Sequence, residues 1–488
     1  MSRGLGVILV LCAAAGSVCE LGEPVARAQS APRPASRQLL PSDLRVDDAK
    51  VTAQRKAALA WNMKILVGAY DRVGHRDPKW DEAARRGLTL TARLWAHDPD
   101  RPGDAPDQAW YALRTAITRG CDDPLVLYLN AEYSEADLPR LEAAHLVYAA
   151  LLGLAPEPHH PHLVSRAMVE SARTLSAASV GLSKEEWAPR WNSLIVIINR
   201  AFDLLPNVLA DREMPAGQLV DHVNAMFDPW GRSGNDRQKM FPHVEAAFEK
   251  ARDPKDPLLQ VMRADALASS AWDVRGSGFA RDVKPEAWPI FKQRLGQAEA
   301  EAAKALAMGA NEYAIVRVMN RVALGLHGDA DELDQWFRLG KRLAPGDRRP
   351  YWFRLYALEP RWLGTSVYEM FDFARRMQDE ANWNLRLPLL MAEGHEDLTM
   401  VLADADKATY FANPLVCGDV LGTYPLFLQK YPDSGWERGA YIKWLARCGK
   451  WSDVKRELQL IPADRLRVGA FGGQSAYDDI RKRAASVP

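Results

Sequence analysis

The chain has 488 residues, of which 48% are hydrophobic and 26% are charged. This balance is typical of a soluble globular protein and excludes a largely disordered chain. Lysine plus arginine and aspartate plus glutamate both number 63, so no overall field draws the protein to nucleic acid or to an anionic membrane. The length exceeds one ordinary core and predicts two or three domains, or a repeat array that grows lengthwise.

Residues 1–28 predict a secretory signal peptide. Arg3 supplies a positive start, an apolar run extends from Leu5 to Ala15, and Ala26-Arg27-Ala28 matches a small-residue cleavage site. The run is well below the roughly 20 apolar residues that a membrane span requires. We therefore expect cleavage after Ala28 and a periplasmic or secreted protein without a membrane span. Residues 29–45, rich in alanine, proline and serine, predict a flexible linker.

Beyond residue 45, apolar residues recur at helical spacing and alternation with a period of two is almost absent, which predicts an all-α fold. Ser183 with Glu186 and Ser366 with Glu369 form candidate capping boxes at two helix starts. Three segments, 70–90, 107–133 and 441–458, share a plan of helix, small-residue turn and helix. The segments 138–151 and 162–175 continue the helical pattern.

Residues 214–240 interrupt this plan, because prolines, glycines and polar residues break the apolar pattern. The segment is predicted to be an irregular excursion, and a functional loop is one interpretation of it. Trp230 is the candidate surface contact for a partner, with Arg232 and Asp236 nearby. A joint at 253–257 then divides an N-terminal helical-repeat region, 46–252, from a C-terminal one, 253–488.

The clearest repeat unit lies between Ala314 and Pro345 and resembles a tetratricopeptide hairpin. Gly328 occupies the turn, while Leu333 and Phe337 lie on the inward face of the second helix. A single hairpin cannot bury its own apolar face, so neighbours must stack on both sides of it. The sequence therefore predicts a right-handed α-solenoid of tetratricopeptide-like helical hairpins.

Residues 271–279 and 359–373 resemble a family of uncharacterised, exported tetratricopeptide-like proteins known from bacteria such as planctomycetes. The resemblance covers roughly 257–460 and implies a helical-repeat domain of unknown function, without any catalytic residue. The second segment reads Trp362-Leu363-Gly364-Thr365-Ser366 where the family has W-x-G-S. Either Thr365 or Ser366 therefore caps the helix that follows.

No motif in the chain predicts a reaction. The imidazole cluster at 159–162 meets no metal-ligand template, and Pro161 suits the first position of a helix. Carboxylates at 329–334 fit a helix start, where the macrodipole favours negative charge. The glycines at 276–278 lack the strand and the lysine of a nucleotide loop. We therefore expect no metal, no cofactor and no catalytic residue.

The cysteines leave two interpretations open. Cys12 and Cys19 belong to the predicted signal peptide, and Cys121, Cys417 and Cys448 remain. Cys417 and Cys448 lie about one repeat apart, which permits a disulfide between adjacent hairpins in an oxidising compartment. The alternative, which the sequence favours, is that they are small buried hydrophobic residues at helix contacts.

The leading functional hypothesis is a non-catalytic, exported scaffold that binds a peptide or protein partner on its concave face, because hairpin arrays offer long preformed surfaces. An exported α/α-toroid enzyme acting on polysaccharide is the alternative, since it too would be all-helical and rich in tryptophan. A structural spacer without a soluble ligand is a third hypothesis.

Overall fold

The computed structural model describes residues 39–133, 138–154, 159–177, 183–232, 236–276, 278–399 and 402–486. These residues form helices and turns and contain no β-strand, which confirms the all-α prediction. The predicted signal peptide and the first part of the predicted linker lie outside the described residues. The last part of that linker packs: Leu39 and Leu44 are buried on either side of a 3-10 turn at Pro41–Asp43.

The α-helices follow one another along the whole described chain. In order they are α1 Asp48–Met63, α2 Ala69–Val73, α3 Asp81–Trp95, α4 Ala105–Thr118, α5 Pro124–Glu132, α6 Leu138–Leu154, α7 Pro161–Ala177, α8 Lys184–Ala210, α9 Ala216–Arg232, α10 Phe241–Ala251, α11 Pro257–Arg275, α12 Ala287–Ala307, α13 Glu312–Val322, α14 Ala330–Leu343, α15 Arg349–Ala357, α16 Val367–Glu380, α17 Leu390–Leu398, α18 Asp404–Phe411, α19 Pro414–Leu421, α20 Thr423–Lys430, α21 Gly435–Arg447, α22 Trp451–Gln459 and α23 Gln474–Ala485.

Two compact units contain these helices. The larger unit consists, among the described residues, of 39–101 and 108–350, and the smaller unit of 102–107 and 351–486. In the larger unit the most extensive packing joins α11 to α12, α6 to α7 and α7 to α8. The segment 253–257, predicted to be a joint between regions, lies inside the larger unit, where residues 253–256 lie between α10 and α11 and Pro257 is the first residue of α11.

The hairpin between residues 314 and 345 forms as predicted from α13 and α14. Gly328 adopts a left-handed conformation, with φ 64°, that residues other than glycine adopt only at a cost. The Asp329 carboxylate accepts hydrogen bonds from the first free amides of α14. Leu333 and Phe337 are buried, so the second helix presents its apolar stripe inward.

The capping boxes give one confirmation and one correction. Ser183 and Glu186 bond reciprocally at the start of α8, as predicted. Ser366 makes no side-chain capping bond to α16. Ser366 still occupies the N-cap position, and the Glu369 side chain accepts from the backbone N–H and the hydroxyl of Thr365. The predicted reciprocal box therefore does not form, and neither Thr365 nor Ser366 makes a side-chain bond to the free amides of α16.

The prediction of an irregular excursion at 214–240 is wrong. Residues 216–232 form the regular helix α9, and 237–239 form a short 3-10 helix. Pro229 lies inside α9. Leu219, Val223 and Phe227 are buried along one face of the helix. Packing of this apolar stripe outweighs the local helix-breaking composition, because tertiary contacts provide most helix stability.

Cys417 and Cys448 form a disulfide, with Cα atoms 5.9 Å apart. The favoured expectation of two unlinked buried cysteines is therefore wrong, and the alternative interpretation is correct. Both sulfur atoms lie near the carbonyl oxygen of Phe411. The third, Cys121, is a free buried thiol, whose pKa burial raises to about 11.

In the described part of the chain, one helix meets the length and apolarity criteria for a membrane span, and these are the only two criteria applied. This stretch, Glu185–Ala210, belongs to α8, and 44% of its most apolar window is buried inside the protein. Leu194, Ile198 and Leu205 are core residues. One such helix is weak evidence, and core helices of soluble proteins meet the same criteria, so the stretch is no clear membrane span.

Candidate functional site

Trp230 lies in a cluster of three tryptophans, not in a loop. Trp187 and Trp191 are one turn apart on α8, and their ring centroids are 5.9 Å from each other. The ring of Trp230, near the end of α9, lies 5.3 Å from that of Trp191. All three side chains are half-buried. We call these residues the tryptophan cluster; neighbouring rings in it are in tilted contact.

Two local features place these rings together. The capping box at Ser183 fixes the start of α8, so Trp187 and Trp191 share one helix face at a spacing of four residues. Trp230 follows Pro229 in the last turn of α9, which packs against α8. The sequence analysis identified Trp230 as a candidate. Its contact with Trp191 of α8 could not be predicted, because the two residues are about forty positions apart and meet only when the helices pack.

Charged side chains form a network beside this cluster. Asp228, two residues before Trp230, pairs with Arg237 at 3.0 Å, and Arg237 also binds Asp273 of α11. Asp236 accepts a hydrogen bond from the Ser270 hydroxyl at 3.1 Å and pairs with Arg294 at 2.5 Å. The network joins α9, α11 and α12 and holds the end of α9 in place.

The three predicted contact residues therefore have different roles. Trp230 contributes an aromatic face, whereas Asp236 is committed to ion pairing and to capping the 3-10 helix, where it accepts from Gln238 N–H. Burial acts to raise the pKa of Asp236, but its hydrogen bonds from Gln238 and Arg294 outweigh burial and lower it. Arg232 ends α9, and its side chain lies outside the described part of the chain.

Burial has the opposite outcome at Asp273. It raises the pKa of this carboxyl above the ordinary value, because Arg237 offsets the cost of burial only in part. Asp228 and Asp236 add to the increase through their negative charge. The network is therefore locally rich in carboxylate.

The imidazole cluster at 159–162 belongs to the core of the larger unit. His160 donates from Nε2 to Asp211 at 2.9 Å, and its Nδ1 accepts the His162 backbone N–H. The His162 ring packs edge-on against His222, with centroids 4.7 Å apart. This direct ring contact leaves no space for an ion between the two rings. Within the described ranges, no group of three or more histidine, cysteine, aspartate or glutamate side chains is placed to hold a metal.

The acidic start of α14 carries a buried contact that the sequence analysis did not identify. His327 lies between Glu332, at 3.0 Å from Nδ1, and Glu299, at 3.5 Å from Nε2. Only 6% of the His327 side chain is exposed. Burial acts to lower the pKa of His327, but the two carboxylates outweigh it and raise the pKa to about 9. The imidazole is therefore positively charged at neutral pH.

We expect the charged His327 to make the stability of the larger unit depend on alkaline pH. Its pKa is higher in the folded than in the unfolded chain, so the contribution is complete below about pH 6.5 and is lost as pH rises through about 9. A loss of up to about 2 kcal/mol is expected after allowance for solvent screening. Urea unfolding between these pH values measures it.

The matched variant is His327→Gln, which keeps a polar side chain but cannot titrate. Its unfolding free energy should be lower than that of the wild type near neutral pH, and nearly flat from neutral to alkaline pH. A decline equal to that of the wild type would assign the pH dependence to other groups.

A second buried cluster joins distant parts of the larger unit. The Asp347 carboxylate, 2% exposed, pairs with Arg349 at 2.6 Å and accepts from the Tyr313 hydroxyl at 2.5 Å. Arg349 also pairs with Asp221 at 2.8 Å and lies 3.1 Å from Nε2 of His97. No local motif predicts this cluster, because its members come from four separate segments.

Comparison with models of known protein families and with curated proteins yields no match. The argument for function therefore depends on the geometry of this chain.

Proposed function

We propose that this chain is an exported, non-catalytic helical-repeat scaffold that binds a peptide segment of a protein partner at the tryptophan cluster. The observation that carries the proposal is the cluster of three half-buried indole rings at Trp187, Trp191 and Trp230, with neighbouring centroids 5.9 and 5.3 Å apart. We propose further that the hairpins stack into a right-handed, tetratricopeptide-like solenoid. We also propose that the chain belongs to the exported bacterial family that residues 271–279 and 359–373 resemble.

The chemistry of the cluster favours an extended peptide that contains proline or aromatic side chains. Tryptophan offers a large, rigid face with little conformational entropy to lose, and such residues dominate binding energy at interfaces. The neighbouring carboxylates Asp228 and Asp273 are 28% and 38% exposed. They favour a basic residue next to the apolar one in the partner.

The rigidity of the surface supports the same function. Trp187 and Trp191 are on one long helix, and the ion pairs of Arg237 with Asp228 and Asp273 connect α9 to α11. A surface on packed helices is already ordered, so it loses little conformational entropy on binding. This property is more typical of a preformed binding site than of a segment that folds around its partner.

Two features support export. The N-terminal pattern predicts a cleaved signal peptide. The Cys417–Cys448 disulfide is of the kind that persists in oxidising compartments and is rare in the cytosol. A fractionation experiment that follows the endogenous protein tests this part of the proposal, since a reduced cytoplasmic pool would contradict it.

Peptide display tests the binding function. The chain from Gln29 onward is used to select from a random peptide library displayed on phage, and the enriched peptides are synthesised for titration. We expect proline- or aromatic-containing peptides with a basic residue. Trp191→Ala and Trp230→Ala should each weaken their binding by at least about tenfold, which is the size typical of a binding hot spot.

Trp352→Ala is the matched control, because it removes an exposed tryptophan from the other unit. Its affinity for the selected peptides should equal that of the wild type. The proposal fails if no peptide is enriched, or if the two cluster variants bind as tightly as the wild type.

A further inference from the structure

The family-like segment that begins at Glu359 folds into a compact loop between α15 and α16 in the smaller unit. The backbone N–H of Trp362 donates to the Glu359 carbonyl at 2.9 Å, and that of Leu363 donates to the Ala357 carbonyl at 3.2 Å. Gly364 N–H donates to the same Glu359 carbonyl at 3.3 Å. The loop is therefore held by its own backbone and presents its side chains in a fixed arrangement.

Three aromatic rings form a stack along this loop and the preceding helix. Trp352 and Tyr356, four residues apart on α15, are nearly parallel, with an interplanar angle of 18° and centroids 5.5 Å apart. Trp362 extends this row of rings by a tilted contact with Tyr356, with an interplanar angle of 44° and centroids 5.2 Å apart. Trp352 is 44% exposed, so the outer end of the stack has an indole face open to solvent.

Polar groups border the inner end of the stack. Arg361 lies over Tyr356 and Trp362, at 5.2 and 5.6 Å from their centroids, and pairs with Glu359 at 2.5 Å. The Glu359 side chain is only 4% exposed. Its charge and that of Arg361 offset each other, so the pair is close to neutral overall.

Asp397 of α17 has an unsatisfied oxygen next to this pair. Its Oδ2 is buried and has no hydrogen-bond partner in the part of the chain that the structure describes. Burial, together with the nearby carboxylates Glu359 and Glu393, raises the pKa of Asp397 to about 6, and Arg361 offsets this only in part. A buried acceptor without a donor is unfavourable, and a hydroxyl group on a ligand would supply the missing donor.

We propose that Trp352, Tyr356, Trp362, Arg361, Glu359 and Asp397 form a saccharide-binding site. The apolar C–H face of a sugar ring covers the open indole of Trp352, and ring hydroxyls donate to the Asp397 carboxyl. Arg361 supplies donors to sugar oxygens. A neutral, hydroxyl-rich ligand fits best, because it offers a C–H face to the stack and hydroxyl donors to the carboxyl, whereas Glu359 and Asp397 repel an anion.

This site lies in the smaller unit, whereas the tryptophan cluster lies in the larger one. The two proposals are therefore separable by mutation. Trp191→Ala, which is expected to weaken peptide binding, serves as the control for the saccharide site.

Titration calorimetry with soluble hexasaccharides tests the inference. The protein used is the chain from Gln29 onward, and the probes are cellohexaose, chitohexaose, xylohexaose and mannohexaose. Each probe is added to a final concentration of about 10 mM, so that millimolar dissociation constants can be measured. We expect saturable binding of at least one probe. Trp352→Ala and Asp397→Leu should weaken that binding by at least about tenfold.

Two further variants separate a binding role from a structural one. Asp397→Asn keeps an acceptor oxygen and should bind within about threefold of the wild type, and Trp191→Ala should bind normally. Because Trp352 is exposed, its replacement leaves the fold intact even where a change at Asp397 does not. Failure of all four probes to saturate, or equal binding by wild type and Trp352→Ala, overturns the inference.

Discussion

Replacing Asp347 with alanine is expected to lower the free energy of unfolding of the larger unit by about 3 kcal/mol, the lower end of the range for breaking a buried ion pair. The cause is that two groups lose partners. Arg349 keeps its ion pair with Asp221 but loses the two bonds that its Nε and Nη2 atoms make to Asp347, and the Tyr313 hydroxyl loses its acceptor. Because Arg349 is 40% exposed, water screens its charge, and the expected loss of stability lies at the lower end of the range for buried ion pairs.

The surroundings of Asp347 explain why the fold cannot adapt easily. Gly346 lies directly against the His97 carbonyl, in a space where any Cβ would collide with backbone. His97 itself has a left-handed φ of 49°, a conformation that costs a residue with a side chain of order 1 kcal/mol or more. Two backbone segments are thus tightly apposed at the cluster, which limits relaxation around a lost carboxylate.

Urea unfolding of the purified chain measures the effect of Asp347→Ala. The matched control is Asp334→Ala, which removes one partner of an exposed pair with Arg338 on α14. That change should cost no more than about 0.5 kcal/mol. Equal losses for the two variants would show that the buried cluster contributes no more than a surface pair.

Reduction of the Cys417–Cys448 disulfide is expected to destabilise the smaller unit by about 3 to 4 kcal/mol. The two residues are 31 positions apart, and a cross-link that closes a loop of this length removes that much conformational entropy from the unfolded chain. The sulfurs lie near the carbonyl oxygen of Phe411, which belongs to a buried cluster that also includes Val420 and Trp444. Loss of the bond would loosen the packing of α18, α19 and α21.

Thermal unfolding with and without a reducing agent measures this effect, and Cys417→Ala should reproduce it in oxidising buffer. Cys121→Ser is the control, because Cys121 is a buried free thiol in the larger unit. Its unfolding transition should respond to the reducing agent as that of the wild type does. A transition of the smaller unit that reduction leaves unchanged would contradict the expected contribution.

The sequence by itself determined the fold class and much of the local helix structure. Apolar spacing, Gly328 at a turn, Asp329 at a helix start and the Ser183–Glu186 capping box all depend on residues within four or five positions of one another. Such contacts form within one helix or turn, so they can be identified without knowledge of the rest of the chain.

Tertiary structure decided the rest. Residues 216–232 became a helix because packing outweighed Pro229 and the polar composition. The pairing of Trp230 with Trp191, of Asp347 with Tyr313, and of Cys417 with Cys448 joins residues from about thirty to forty positions apart. Which distant side chains meet depends on how helices stack, and apolar periodicity specifies the buried face of a helix but not its neighbour.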